Sequence, residues 1–406
     1  MSFAKLKNYI SARLYFLVLF AAKFFPAKAG EKNLLLIKTD EIGDYVMFHQ
    51  YFKYIRKSDK YHGYKITLVG SQAWKDLFLK FDMNSVDEVI WLNKKKFKSD
   101  LQYRFSFLRT IRSLPISDVI NLIYSRSILF DDAIAWVATG VNKTAMLSDY
   151  ANQTHDLLKW DKRIYNSLID AGDNTIFDTI RSRNFIVALT GMNLIPLSTR
   201  FELDESFYNS IDKEFNLKSG SGNVEFVDIS NGLFEKYYIL FLGAGHLTKK
   251  WELAYFVTVA EYISAKYQLA PILCGGPEDV ETAKLFLEKF NEKAIDLVGK
   301  TTLVQMVSLS LGARFLIAVD TSALHIAAAV NRPVIGLYSG KSYGRFAPYP
   351  REIAEEFYAI FPDKVDELIR NNDPILKNNI AMKYELIRTI PPEKLYPYID
   401  KIMAVA

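Results

Sequence analysis

The sequence predicts an α/β protein made of two Rossmann-like, doubly wound parallel-sheet domains that face each other across a cleft. Three observations support this prediction. The chain has 406 residues, which exceeds the roughly 100–200 residues of a single domain. Short, continuous apolar runs alternate with segments long enough for crossover helices, a pattern typical of parallel strands covered on both faces. The alternation occurs in two series, separated by the polar Ser-Gly-Ser-Gly-Asn tract at 219–223, which we interpret as a linker.

The first series of apolar runs defines an N-terminal domain over residues 31–225. Its predicted strands are 34–37, 66–69, 89–92 and 119–122. A helix is predicted at 45–56, and helix-like segments occur at 155–168 and 177–189.

The second series defines a C-terminal domain over residues 226–385, the half with the more regular alternation. Its predicted strands are 238–242, 272–274, 295–298, 315–319 and 334–338. A C-terminal helix is predicted over 386–406.

Composition argues against several classes of function. The 51 basic and 46 acidic residues give a net charge of +5 that is not gathered into one Arg-rich stripe, so no nucleic-acid partner is expected. The single cysteine, Cys274, allows no intramolecular disulfide, which agrees with a reducing cytoplasm. The five histidines offer no metal-ligand pair at useful spacing, and no Asp-x-Asp motif occurs. We therefore expect neither a metal nor a cofactor.

Residues 1–30 differ from the rest of the chain, because no acidic residue precedes Glu31. The basic residues there are Lys5, Lys7, Arg13, Lys23 and Lys28. The uncharged run at 14–22 is shorter than the ~20 residues that span a bilayer. Two interpretations stay open: a helix packed on the protein's own core, and a helix on the inner face of an anionic membrane. In the second, four phenylalanines would insert: Phe16, Phe20, Phe24 and Phe25.

The first candidate site follows the strand at 34–37. Lys38, Asp40, Gly43 and Asp44 lie where that strand ends and a helix begins. In open α/β sheets, ligands bind outside the carboxyl ends of the strands, and a glycine permits close approach to the backbone. Helix capping is the favoured role of Asp40, whereas Asp44 could accept a proton from a substrate hydroxyl.

Two further candidates follow strands of the second domain. Gly243, Gly245, His246 and Lys249 come after the strand at 238–242, and glycines beside a lysine suit a diphosphate at a helix N-terminus. The spacing matches neither a Walker loop nor a dinucleotide fingerprint, so a plain turn is the alternative. After the strand ending at Cys274, either of two carboxylates could bind ribose hydroxyls or simply begin a helix. These are Glu278 and Glu281.

The fourth candidate is a buried strand that runs directly into a helix of small residues. Asp320, Thr321, Ser322, Ala323 and His325 occupy this junction. Small side chains there expose the first N–H groups of the helix, which bind anions, so we predict a phosphate site. Asp320 and His325 could suggest a hydrolase triad, but the chain contains no Gly-x-Ser-x-Gly elbow. His325 is interpreted either as structural or as a ligand contact.

In their order along the chain, these motifs resemble the family 9 glycosyltransferases, the heptosyltransferases of lipopolysaccharide core assembly. The matching segments are 38–44, Lys249-Lys250-Trp251, Gly275-Gly276-Pro277-Glu278, Leu297-Val298-Gly299-Lys300-Thr301 and 320–325. The resemblance extends from about residue 33 to 393 and is strongest over 238–348. Ser322 replaces the family's usual glycine, and Lys38-Thr39-Asp40 replaces its usual Arg-x-Asp.

The resemblance implies a GT-B fold in which the N-terminal domain binds the acceptor and the C-terminal domain binds the nucleotide-sugar donor. It also implies the inverting, metal-independent transfer of heptose from an ADP-sugar. By position, it implies that Asp44 is the catalytic base, Lys249 neutralises the diphosphate and Glu278 or Glu281 binds the ribose. Residues 320–322 would form the loop that binds sugar and phosphate. The implied partners are a nucleotide-diphosphate sugar, ADP-heptose first, and a glycan or glycolipid acceptor. Apart from the resemblance, the single cysteine leads us to expect a cytoplasmic location, and the membrane interpretation of residues 1–30 adds peripheral contact with the inner face of the inner membrane.

This function has three alternatives. The first is a GT-B transferase that uses another nucleotide sugar in O-antigen or capsule assembly. The second is a catalytically silent protein that binds a nucleotide or glycan, which the presence of both Asp44 and Lys249 argues against. The third is an NAD-dependent oxidoreductase, which the absent dinucleotide fingerprint disfavours.

Overall fold

The computed structural model describes residues 3–28, 30–149, 151–152, 160–203, 207, 237–244, 249–341, 343–377 and 386–404, with the side chains of the first helix described from residue 13 onward. The chain divides into two compact units. Unit 1 comprises Met1–Asp173 and Thr179–Pro196, and unit 2 comprises Asn174–Asp178 and Leu197–Ala406.

The division near residue 197 lies upstream of the boundary predicted at 225/226. It does so because the segment after Pro196 is bonded to unit 2. The backbone N–H of Phe201 donates to the carbonyl of Ala329 at 3.1 Å, and Arg200 Nη2 donates to Asn331 Oδ1 at 2.7 Å. The predicted linker at 219–223 lies outside the described residues.

Unit 1 contains a six-stranded parallel sheet in the order β3-β2-β1-β4-β5-β6. Its strands are β1 (Asn33–Lys38), β2 (Lys65–Ser71), β3 (Glu88–Leu92), β4 (Asp118–Asn121), β5 (Asn142–Met146) and β6 (Ser167–Ile169). The four predicted strands are confirmed. The strands β5 and β6 were missed, and β6 begins inside a segment that we predicted to be helical.

The helices of unit 1 flank this sheet. They are α1 (Phe3–Lys23), α2 (Ile42–Phe48), α3 (Phe52–Lys57), α4 (Lys75–Phe81), α5 (Lys94–Ser99), α6 (Leu101–Ser113), α7 (Asp131–Val137), α8 (Asp161–Ile164) and α9 (Asp178–Thr190). The helix predicted at 45–56 is α2 and α3, joined by a turn of 3-10 helix at His49–Tyr51. The predicted helix at 177–189 is confirmed as α9.

The N-terminal helix α1 packs one face on the core of unit 1. Leu19 and Ala22 are buried in the same apolar cluster as the strands β1 and β4. Lys23 Nζ donates to the carbonyl of Trp136 at 2.7 Å, and Phe20 meets the ring of Trp136 edge to face, with ring centroids 5.0 Å apart. The interpretation of a helix packed on the protein's own core is confirmed for this face. None of the described helices is both long and apolar enough to cross a membrane.

Unit 2 contains a second six-stranded parallel sheet, in the order β12-β11-β10-β7-β8-β9. Its strands are β7 (Tyr237–Phe241), β8 (Ala270–Cys274), β9 (Ile295–Asp296), β10 (Leu316–Val319), β11 (Val334–Leu337) and β12 (Phe357–Ile360). The five predicted strands are confirmed, and β12 was missed.

The described helices of unit 2 are α10 (Leu253–Tyr267), α11 (Val280–Lys289), α12 (Leu303–Gly312), α13 (Ser322–Ala329), α14 (Asp363–Arg370) and α15 (Tyr396–Ala404). The helix α15 lies in the segment where a C-terminal helix was predicted. Its Ile399 and Ile402 are buried in the same core cluster as Leu240 and Val319. The C-terminal segment therefore completes the core of unit 2.

Both sheets reverse their strand order at one position. The reversal lies between β1 and β4 in unit 1 and between β7 and β10 in unit 2. Ligands of doubly wound sheets bind in the crevice outside the carboxyl ends of the strands at such a switch point. In unit 1 this crevice is bordered by the segments after β1 and β4, and in unit 2 by those after β7 and β10. Most of the candidate residues lie in or next to these segments.

Candidate functional site

A lysine and an aspartate meet at the switch point of unit 2. Lys249 follows β7 and Asp320 follows β10, 71 residues later. Lys249 Nζ lies 2.7 Å from Asp320 Oδ2 and 3.4 Å from the main-chain oxygen of Asp320. Both side chains are half-buried. The fold therefore fixes an ammonium group at the carboxyl edge of the sheet. The sequence predicted that each residue follows a strand, and the structure adds that the two side chains meet.

The N-terminus of α13 begins directly beside this pair. Thr321 is the N-cap residue of α13, yet its side chain makes no capping hydrogen bond. Its Oγ1 is buried and has no hydrogen-bond partner among the described residues. Ser322 and Ala323 follow in the first turn. A helix N-terminus attracts anions through its N–H groups and its dipole, and Lys249 adds a positive charge.

Two more buried hydroxyl groups lie just beyond the carboxyl end of β11. Tyr338 Oη and Ser339 Oγ have no hydrogen-bond partner within the described part of the chain. Burial and the nearby Asp320 carboxylate raise the pKa of Tyr338, so its hydroxyl stays protonated and can donate. Buried polar groups are normally satisfied, so hydroxyls left without partners beside an anion site are consistent with a ligand that supplies the missing bonds. Sequence reasoning missed both residues, since tyrosine and serine after a strand are unremarkable by themselves.

His325 lies one turn into α13 and is held by other residues of unit 2. Its Nδ1 is 2.6 Å from Tyr349 Oη, and the ring is buried. Burial lowers the pKa of His325 to about 4, so the imidazole is neutral at physiological pH. The Tyr349 ring in turn contacts Phe177, with centroids 4.6 Å apart. These contacts match the structural interpretation of His325.

The glycines after β7 and β8 make room for a carboxylate that the sequence did not single out. Asp279 Oδ2 accepts from the backbone N–H of Gly276 at 2.9 Å. A side chain at Gly243 would overlap this carboxylate, and one at Gly275 would lie 3.0 Å from it. Burial raises the pKa of Asp279. The position of the Asp279 carboxylate therefore explains by itself why residue 243 is a glycine.

The remaining predicted residues of unit 2 lie at the edge of this region or outside the described residues. Glu278 is exposed, and its carboxylate covers Gly276. Glu281 is exposed on α11, with its Oε1 4.0 Å from Lys284 Nζ. Gly245 and His246 lie outside the described residues.

At the switch point of unit 1, Lys38 is buried in the fold. Its ammonium group is 2.6 Å from Asp40 Oδ2 and 4.8 Å from the centroid of the Phe48 ring. Only 2% of the Lys38 side chain is exposed. The main-chain oxygen of Asp40 accepts from Trp74 Nε1 at 3.2 Å. Lys38 and Asp40 thus hold the end of β1 in place.

Asp44 lies in the first turn of α2 and is half-buried. Its Oδ2 accepts from the backbone N–H of Glu41 at 3.2 Å, the reciprocal bond of a capping box. This bond orients the carboxylate at the carboxyl edge of the sheet, just after Gly43. A carboxylate oriented in this way is a candidate acceptor for the proton of a substrate hydroxyl.

A buried charged network lies beside the carboxyl end of β4. Arg126 is fully buried and donates to Asp132 Oδ1 at 2.8 Å and to Asp161 Oδ2 at 2.8 Å. Tyr165 Oη donates to Asp132 Oδ1 at 2.6 Å and accepts from Asn121 Nδ2 at 2.8 Å. Sequence reasoning missed this network, because its members are spread from 121 to 165. Within the described ranges, no group of three or more His, Cys, Asp and Glu residues is arranged to bind a metal ion.

Comparison with known proteins gives one family. Residues 137–357 match the model of "Glycosyltransferase family 9 (heptosyltransferase)". Lipooligosaccharide heptosyltransferase 2 of Haemophilus influenzae is 34% identical over 97 residues, which is 23% of this chain and 28% of that protein. Lipopolysaccharide heptosyltransferase 2 of Escherichia coli is 31% identical over 105 residues, 25% of this chain and 29% of that protein. The chain thus spans less than a third of the length of the curated relatives it matches.

Solved structures share the fold over most of the chain. The glycosyl transferase family 9 structure from Veillonella parvula has a TM-score of 0.64 at 16% identity and covers 94% of this chain and 100% of its own. The E. coli heptosyltransferase WaaC with ADP has a TM-score of 0.63 at 16% identity and covers 91% and 99%. At this level of identity the likeness establishes the fold, and the predicted GT-B fold is confirmed.

Proposed function

The chain belongs to glycosyltransferase family 9, and on that basis we propose that it transfers a sugar from a nucleotide-diphosphate donor to a glycan acceptor. The donor that we favour is ADP-heptose, and the acceptor is a lipopolysaccharide core or a related glycolipid. The proposed reaction inverts the anomeric carbon and needs no metal ion. The observation that carries this proposal is the ammonium group of Lys249 fixed beside the N-terminus of α13.

In the proposed donor site, Lys249 and the first N–H groups of α13 bind the diphosphate. Asp320 keeps the Lys249 ammonium group in place, since their charged atoms lie 2.7 Å apart. The hydroxyl of Thr321 donates to a phosphate or sugar oxygen, which supplies the partner that this buried group lacks among the described residues. Glu278 or Glu281 binds the ribose hydroxyls. Positive groups placed where charge develops typically supply the largest part of a rate enhancement.

In the proposed acceptor site, Asp44 is the general base. It takes the proton of an acceptor hydroxyl while that oxygen attacks the anomeric carbon. The bond from the anomeric carbon to the diphosphate oxygen breaks, and the nucleoside diphosphate leaves with both bonding electrons. One bond is formed and one is broken on opposite faces of the sugar, so its configuration inverts. Lys38, Asp40 and Gly43 shape this edge of unit 1, because the Lys38–Asp40 pair fixes the segment that leads to Asp44.

The donor half of the proposal is tested by calorimetric titration of the protein with ADP, GDP, UDP and NADH, with and without magnesium. We expect one nucleoside diphosphate, ADP, to bind equally well without the metal. Binding of GDP or UDP alone would assign the chain to another donor, as in O-antigen or capsule assembly. Binding of NADH alone would contradict a transferase.

The acceptor half is tested with Asp44→Asn. The asparagine side-chain oxygen can still accept from the N–H of Glu41, so α2 keeps its cap while the base is lost. General-base catalysis contributes about 10²–10⁴-fold, and we expect a loss of that size in turnover with nucleotide binding retained.

The matched control is Asp373→Asn, because Asp373 Oδ1 also accepts a backbone N–H, from Ile375 at 2.9 Å, on an exposed turn of unit 2. This variant should transfer sugar at the original rate. If Asp44→Asn folds normally and turns over as fast as Asp373→Asn, Asp44 is not the base.

A further inference from the structure

The face of α1 that points away from unit 1 carries a stripe of exposed apolar side chains. Leu17 is 65% exposed, and Phe24, directly after the helix, is 86% exposed. Phe20 is 41% exposed at the border of this face, where its ring also contacts Trp136. Leu14 and Ala21 are exposed on the same helix. Residues three, four and seven apart share one side of a helix, so these five form a single stripe, which we call the apolar stripe.

The orientation of the apolar stripe is fixed by the opposite face of the helix. Leu19 and Ala22 are buried in the core of unit 1, and the ring of Phe16 packs near Trp160 with centroids 6.2 Å apart. Lys23 Nζ is bonded to the carbonyl of Trp136. The helix therefore cannot roll to bury the stripe without breaking these contacts. Contiguous exposed apolar surface of this kind marks an interaction site.

Basic side chains surround the apolar stripe. Arg13 and Lys28 lie at its two ends and are exposed. Tyr15, on the half-buried side of α1, donates through Oη to the main-chain oxygen of Lys98, so that α5 with the exposed Lys95 and Lys98 lies along the flank of α1. On α6, the guanidinium group of Arg109 lies 5.0 Å from the centroid of the Phe25 ring. We call these five residues the basic rim.

Acidic charge is almost absent from this part of the molecule. Segments 13–28 and 94–113 contain a single acidic residue, Asp100. The Asp100 carboxylate caps α6, where it accepts from the backbone N–H groups of Gln102 and Tyr103 at 2.9 and 3.0 Å. The face thus combines an apolar stripe with a positive potential around it.

We propose that the apolar stripe and basic rim dock unit 1 on an anionic lipid bilayer, with α1 lying in the plane of the surface. Apolar side chains enter the boundary between headgroups and acyl chains, while the lysines and arginines contact anionic headgroups. A second copy of this chain fits the face less well, because a two-fold contact would bring the two basic rims together. This inference does not depend on which sugar, if any, the chain transfers.

The test measures sedimentation of the full chain with vesicles. One set contains phosphatidylcholine alone, and the other contains about one third phosphatidylglycerol. We expect binding to the anionic vesicles, weak binding to the neutral ones, and release as the salt concentration rises, because exposed charges are screened.

Leu17→Glu and Phe24→Glu test the apolar stripe. Each should weaken binding to the anionic vesicles about tenfold or more, because the apolar side chain is no longer buried in the bilayer. Because both side chains are exposed, the thermal unfolding midpoint should not change. The control is Leu194→Glu, at an apolar side chain of unit 1 that is 92% exposed and lies outside the stripe. It should bind vesicles as the original chain does.

Lys98→Glu tests the basic rim. The control is Lys289→Glu, at an exposed lysine on α11. Loss of one contact between lysine and anionic lipid costs about fivefold in binding, and the reversed charge should add to that loss.

The proposal is overturned if the chain does not bind anionic vesicles, or if Leu17→Glu binds them like Leu194→Glu. It is also overturned if Leu17→Glu instead abolishes a dimer seen without lipid. Nucleotide titration of the same variants should give the original affinity, so failure of this inference is distinguishable from failure of the proposed transfer.

Discussion

Lys249 is the residue whose placement the proposed chemistry depends on most. Its side chain is half-buried beside Asp320, and replacement by methionine should leave the free energy of unfolding within about 1 kcal/mol of the original. Turnover should fall by roughly two to three orders of magnitude, the usual cost of removing one charge-stabilising donor. Steady-state sugar transfer and urea unfolding check the two expectations. The control is Lys250→Met, at the exposed neighbouring lysine, and an equal loss there would remove the special role of Lys249.

Thr321 and Thr302 are both helix N-caps, and their hydroxyls are used in opposite ways. Thr302 Oγ1 accepts from the N–H of Gln305 at 3.2 Å, whereas Thr321 Oγ1 is buried without a partner among the described residues. Thr302→Val should therefore lower stability by about 1 kcal/mol and leave nucleotide affinity unchanged.

Thr321→Val should do the reverse. Without ligand it should not lower stability, because no hydrogen bond is removed. With ligand it should weaken nucleotide binding by roughly three- to tenfold, the net value of one hydrogen bond. Thermal melting and calorimetry of the two variants are the measurements. Unchanged affinity in Thr321→Val would show that its hydroxyl does not touch the nucleotide.

At the scale of elements, the network around Arg126 joins β4, α7 and α8. Replacing Arg126 with methionine leaves Asp132 and Asp161 buried without their cation. Such a loss typically lowers the free energy of unfolding by about 3–5 kcal/mol. The control is Lys65→Met. Lys65 is paired with Glu88 at 2.6 Å on the surface, where such pairs are worth less than about 1 kcal/mol. Urea unfolding followed by circular dichroism compares the two, and equal losses would mean that the buried network contributes no more than a surface pair.

The strands differ in how readily the sequence predicts them, and the reason is local. The strand β1, Asn-Leu-Leu-Leu-Ile-Lys, is buried from its second residue onward, so its apolar run is visible in the sequence. The strand β5, Asn-Lys-Thr-Ala-Met, includes Lys143, which is buried because its ammonium group donates to the carbonyls of Ala135 and Ala138 at 2.6 and 2.8 Å. A lysine in a short polar run indicates a loop. The segment is a strand because it pairs with β4 on one side and β6 on the other.

The candidate site shows the same division between local and long-range information. Lys249 and Asp320 were each predicted from the end of an apolar run, but their contact depends on the strand order that places β7 beside β10. Asp279 was not among the predicted residues. Its hydrogen bond to Gly276, three residues earlier, is local, whereas its approach to Gly243 depends on the pairing of β7 with β8. Sequence patterns predict which polar groups come after each strand, and tertiary structure decides which of those groups meet.

At the scale of the whole molecule, each unit has its own sheet, its own buried core and its own switch point. The proposed donor residues, Lys249 and Thr321, belong to unit 2, and the proposed base, Asp44, belongs to unit 1. A nucleotide without an acceptor should therefore affect the two units differently, because a ligand stabilises the structure that it contacts.

Amide hydrogen exchange with and without ADP measures this difference. We expect slower exchange in unit 2 at the first turn of α13 and just after β11, where Thr321, Tyr338 and Ser339 carry hydroxyls without partners in the described structure. At a hundredfold excess of ADP over its dissociation constant, the stabilisation is about 2.7 kcal/mol, which is large enough to detect in exchange of the most protected amides of unit 2. Amides of β1 and α2 in unit 1 should exchange at nearly the same rate as before. Protection confined to unit 1 would place the nucleotide on the wrong unit and would contradict the division of donor and acceptor proposed for this chain.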